Sequence, residues 1–131
     1  MRLLRLARGA DLLAGVVAAA KGAGISTAWV QGIGALDGAR LAWYDQEAMT
    51  YRESGFSGGL EILSLAGNLS LREGELFPHL HLVLSGPDGS PVGGHALPGC
   101  KVFVAELALW PHPPLERLAD TPSGLWLWPP T

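Results

Sequence analysis

The sequence predicts an α+β fold: a mostly antiparallel, mixed β-sheet with one main N-terminal helix. Three observations predict it. Residues 12–20 repeat their apolar side chains at helical spacing, and no later stretch does so as clearly. The rest of the chain breaks into apolar runs of strand length, punctuated by Gly, Pro, Asn and Asp. No repeat and no linker-like stretch divides the 131 residues, so residues 1–131 read as a single domain.

The elements follow in order. Residues 1–7 alternate weakly and predict an edge strand. Asp11 is a helix start, and Leu12, Leu13, Val16, Val17 and Ala20 recur on one face. Gly22 and Gly24 close that helix, because glycine accepts the left-handed conformation of a helix end. Residues 25–31 predict a strand. Gly32-Ile33-Gly34 is expected to bend the chain, and Asp37-Gly38 to make a tight turn. Residues 41–44 and 49–56 predict two more strands, and residues 60–65 and 69–71 flank a break at Gly67-Asn68. Residues 76–84 carry the first histidines, 102–110 form a long apolar strand, and 125–128 a short last one. Pro111-His112-Pro113-Pro114 predicts a stiff surface connection, with His112 exposed.

Composition narrows the function. A hydrophobic fraction of 48% and a charged fraction of 16% describe a packed protein rather than a disordered one. The net charge is −3 and the arginines are scattered, so direct nucleic-acid contact is not expected. Cys100 is the only cysteine, which excludes an intrachain disulfide and fits a reducing, cytoplasmic setting. We read Cys100 as a small buried residue. Arg2, Arg5 and Arg8 ahead of residues 12–20 imitate a secretory leader, but Asp11 and Gly15 interrupt it, so the segment is expected to be part of the fold. No apolar run approaches the roughly 20 residues of a membrane span. Residues 102–110 are apolar on both faces except at Glu106, and one helix covers only one face of a sheet. With five tryptophans and a mean hydropathy of +0.24, this predicts oligomerisation, a closed ring such as a trimer burying the second face. The alternative is a monomer whose sheet curls on itself.

The sharpest signal is His79, His81 and His95. His79 and His81 are two apart on one strand, so they share a face. Residues 85–91, Ser-Gly-Pro-Asp-Gly-Ser-Pro, are turn chemistry. Pairing Ser85 with Pro91 sets His81 opposite His95 and brings three imidazoles together. An even loop, or a bulge at Gly93-Gly94, would turn His95 to the other face. Neutral imidazole is the commonest protein metal ligand, and three leave an open coordination position. Tetrahedral zinc fits best; iron, nickel and manganese also accept imidazole. The competing reading is three hydrogen-bonded polar residues on a sheet face. Glu106 and Glu61 are the carboxylates available for acid/base work. Glu106 stands out because burial in its apolar strand would raise its pKa, although a solvent-facing or subunit-interface role suits it equally. Asn68 and Ser70 either orient a ligand or satisfy a turn. Gly32-Ile33-Gly34 lacks the third glycine of a dinucleotide loop, and Ser57-Gly58-Gly59 lacks the nucleophile-elbow pattern.

These motifs together resemble the plants-and-prokaryotes conserved domain. The resemblance rests on Gly9-Ala10-Asp11, Val30-Gln31-Gly32-Ile33-Gly34-Ala35 and Tyr44-Asp45. It continues through the run from Leu60 to Ser70, Pro78-His79-Leu80-His81, Asp88-Gly89, Gly93-Gly94-His95 and residues 121–127. It implies a homotrimer with a metal site at His79, His81 and His95. It also implies a fold similar to acetolactate decarboxylase, which carries zinc on clustered histidines. On that analogy alone, a small-molecule ligand and a metal-dependent lyase-like activity come into view. Plant members carry an AT-hook ahead of the domain, and the family is associated with DNA. This chain has no Arg-Gly-Arg-Pro motif, so as a DNA-associated regulatory module it would act through a partner protein.

Overall fold

The computed structural model describes residues Met1–Thr131. Its elements are β1 (Arg2–Leu6), α1 (Leu12–Gly22), β2 (Ala28–Asp45), β3 (Thr50–Arg72), β4 (Glu75–Ser85), β5 (Pro91–Ala96), β6 (Lys101–Pro111), β7 (Glu116–Asp120) and β8 (Leu125–Leu127). All pairings are antiparallel except β3 with β7, so the sheet is mixed as expected. With one helix beside it, the architecture is α+β with a dominant sheet.

The sheet curls on itself. The N-terminal half of β2 pairs with β6, and its C-terminal part pairs with β5 at Leu41↔Ala96 and Ala42↔His95. Since β2 also pairs with β3, β3 with β4 and β4 with β5, these four strands close into a ring. The alternation of β4 places Leu80, Leu82 and Leu84 inside, fully buried, and His79 and His81 outside.

Helix α1 starts where Asp11 caps it: its Oδ1 accepts the Ala14 N–H at 3.0 Å. The other oxygen, Oδ2, accepts the Gly99 N–H at 2.7 Å, which ties the helix start to the turn between β5 and β6. Leu12, Val16 and Ala20, four apart, are fully buried against the sheet, while Leu13 and Val17 pack at the edge. Gly24 takes the left-handed φ of +67°, and the chain turns so that the Ile25 N–H reaches Ala20 O at 2.9 Å.

Several expected breaks are not breaks. Gly32-Ile33-Gly34 and Asp37-Gly38 lie inside β2, where register shifts between Gly32 and Gly34 and between Leu36 and Gly38 mark bulges instead of a bend and a turn. The predicted strands at 49–56, 60–65 and 69–71 are one strand, β3. At Gly67 a Cβ would strike the His79 carbonyl oxygen of β4, so the glycine serves close backbone approach rather than a turn. The segment β7 has no counterpart among the expected elements.

Cys100 is fully buried, as expected, and its thiol contacts Arg40 O at 3.4 Å. Burial pushes its pKa up. Strand β6 is not buried on both faces within one chain. Val102, Ala105, Leu107 and Leu109 enter the core, whereas Trp110 is exposed beside Leu3, Ile33 and Leu63, and Phe103 is exposed under the Arg8 guanidinium. No helix is long and apolar enough to cross a membrane.

Candidate metal centre

The hairpin β4–β5 sets the site. Ser85 pairs with Pro91 and His81 with His95, the register anticipated from the turn. The ladder runs without a shift through Gly93 and Gly94, so His95 shares the outer face with His79 and His81. One nitrogen from each ring lies within 4.8 Å of the others. The Nε2 atoms of His79 and His81 are 3.1 Å apart. Two nitrogens on a tetrahedral zinc at 2.0–2.1 Å stand about 3.4 Å from each other. The observed spacing is a few tenths of an ångström short of that.

The electrostatics favour neutral rings. Burial, then the neighbouring His95, Arg117 and His81, lower the His79 pKa to about 4. His95 is likewise lowered to about 4, by burial first and then by His81 and Arg117. Both therefore offer lone pairs at neutral pH, as a metal requires. The Nδ1 of His95 is buried with no hydrogen-bond partner, an orphan of the kind a cation satisfies. Tyr51 stacks on the His95 ring with centroids 5.0 Å apart.

Arg117, on β7, is the residue sequence reasoning missed. It is 4% exposed and lies in the wall of the cleft beside the histidines. Its Nε donates to Ser70 Oγ at 2.9 Å, Nη1 to Trp126 O at 2.8 Å, and Nη2 to Asn68 Oδ1 at 2.6 Å. Asn68 and Ser70 lie inside β3 and finish no turn: they hold Arg117. Nη2 also approaches His79 Nδ1 at 3.3 Å. The aromatic rings of Phe77 and Trp128, each 5.5 Å from the guanidinium, were the available signal, but they lie far from Arg117 in sequence.

The two carboxylates do not join this cluster. Glu106 is exposed, pairs across to Arg5 and Ile33, and lines a separate groove, so the burial expected for it is absent. Glu61 is exposed on β3 near Ser85 and lines another cleft. His112 is exposed, and its Nδ1 lies 2.9 Å from Pro113 O.

Three imidazoles converging outside a curled sheet define a candidate metal site on an α+β domain. The chain belongs to the Plants and Prokaryotes Conserved (PCC) domain family, which matches residues 2–111. The match ends before β7, so Arg117 lies beyond it, as do residues 121–127. Among solved structures, the chain is similar to the "Metal-containing Protein AF0104" of Archaeoglobus fulgidus: 37% identity, TM-score 0.91, covering 98% of this chain and 92% of that one. A plant- and prokaryote-conserved protein of Pyrococcus horikoshii is 35% identical, with TM-score 0.92 and coverage of 99% and 91%. A Bacteroides thetaiotaomicron protein provisionally named as DNA-binding shares the fold at 23% identity and TM-score 0.90, over 97% and 90%. No curated protein matches the sequence.

Proposed function

We propose that this protein is a metal-binding PCC domain that holds a divalent ion, zinc, on His79, His81 and His95 and works as a homotrimer. The convergence of three ring nitrogens within 4.8 Å, two of them on rings kept neutral to about pH 4, carries the reading. The 37%-identical archaeal relative being described as metal-containing supports it. Bound zinc would supply a Lewis acid with an open position. The chain's own residues prepare that position. The β4–β5 ladder fixes the rings, Tyr51 covers one side of His95, and Arg117 sets a positive charge beside it. For the trimer, the support is the outer groove of about 680 Å³, where Leu3, Ile33, Leu63 and Trp110 are exposed together. A DNA-associated role would run through a partner, because a net charge of −3 provides no phosphate-tracking surface.

Metal analysis of protein purified without a histidine tag tests the proposal. The expected result is one zinc per chain and a melting temperature that rises with added zinc. Absence of both refutes it.

A further inference from the structure

The cleft next to the histidines has a charge problem that the metal reading does not solve. Its volume is about 310 Å³, at the small end of ligand pockets. Two cations, Arg117 and Arg72, line it, and no carboxylate does. Arg117 is almost fully buried yet makes no salt bridge; all its hydrogen-bond partners are neutral. Arg72 reaches only the exposed Glu73, at 3.9 Å, and lies 4.4 Å over the Trp126 ring. A buried cation without an anion is costly to keep. The remaining wall is apolar and aromatic, from Phe77, Leu125 and Trp126.

We propose that this cleft binds a small organic carboxylate, its charge taken by Arg117 and Arg72 and its apolar body by Phe77 and Trp126. The guanidinium fork of Arg117 matches carboxylate geometry, and its Nη1 has a second N–H beyond the one given to Trp126 O. The ligand would end beside His79 and His95, which line the same cleft.

One contact links the cleft to the histidines. Arginine only donates, so its approach to His79 Nδ1 makes that nitrogen the acceptor and places the ring proton on Nε2. Ligation through Nε2 instead requires the proton on Nδ1, facing the arginine donor. The His79 contact is then lost, and the second N–H of Nη2, beside the one that Asn68 Oδ1 accepts, becomes free for an anion. Metal and carboxylate are therefore expected to strengthen each other's binding, equally in both directions. This coupling, though not the pocket, rests on the metal reading above.

The test is calorimetric titration with phenylacetate, its uncharged amide phenylacetamide, and inorganic phosphate, on the full chain with and without zinc. Phenylacetate is expected to bind, the amide at least tenfold more weakly, phosphate more weakly than phenylacetate, and zinc to tighten phenylacetate. Arg117→Lys keeps the charge but loses the fork, and is expected to cost at least tenfold. Arg72→Gln, at the less buried rim, is the variant safest for folding and is expected to cost a few-fold. Equal binding of acid and amide, or wild-type affinity in Arg72→Gln together with a folded Arg117→Lys, overturns the proposal. Phosphate binding in preference to phenylacetate overturns the organic-carboxylate assignment. Phenylacetate binding in protein that takes up no zinc overturns the metal reading alone. Zinc uptake without preference for the acid overturns this inference alone.

Discussion

The outer face of the sheet carries two clefts of opposite character. The larger groove, about 680 Å³, exposes Leu3, Ile33, Leu63 and Trp110, with Arg5 facing Glu106 across the β1–β6 ladder. The smaller, about 310 Å³, holds half-buried histidines, Arg117 and aromatic rings in a web of directed contacts. One long strand serves both: β3 contributes Leu63 to the groove and Tyr51 and Arg72 to the cleft. The difference lies in what each leaves unmet. Apolar surface without cover calls for more apolar surface, with no demand on geometry. Converging nitrogen lone pairs and an unpaired guanidinium call for specific charges at specific points. One region therefore suits a second copy of the chain, and the other a metal and a small anion.

Breaking each region separately should leave the other intact. The largest effect is expected from Leu63→Lys in the groove. Sedimentation should show loss of the trimer with zinc uptake retained; a trimer that persists would move the interface elsewhere. Next is His81→Ala. At zinc a hundredfold above its dissociation constant, the wild type should gain about 2.7 kcal/mol of stability, and this gain should vanish while assembly is unchanged. Thermal denaturation with and without zinc reads it. Third, Gly67→Ala forces a Cβ toward the His79 carbonyl oxygen, pushing β3 from the histidine strand. Denaturant unfolding should show a loss of about 1–3 kcal/mol, together with weaker zinc binding.

The last effect is on pH dependence. His79 and His95 sit near 4 in the folded protein against about 6.5 unfolded. Between those values the unfolded chain binds more protons, so metal-free protein should lose stability as pH falls from about 6.5, the loss levelling off below about 4. His79→Gln with His95→Gln should flatten that slope, and Leu63→Lys should leave it in place. A slope unchanged by the histidine pair would contradict the assignment.

The histidine site was legible because its determinants are local. Ser85 to Pro91 fixes an odd-length turn, and period two does the rest for His79, His81 and His95. Arg117 was illegible for the opposite reason. Next to Pro113 and Pro114 it looks like a solvated charge, and only folding brings Ser70, Asn68 and Phe77 around it. Strands β2 and β3 were read as fragments because glycine normally marks breaks. At Gly67 it instead admits a neighbouring backbone, a requirement set by a strand not yet in view. The apolar character of β6 was read correctly, but its two faces meet different fates: core on one side, exposed groove on the other.

Anomalous diffraction at the zinc edge, from crystals of untagged protein grown with zinc, tests the central claim most directly. A single strong peak per chain is expected, about 2.0–2.1 Å from one nitrogen each of His79, His81 and His95. Absence of a peak there, or a peak held by other residues, would contradict the account.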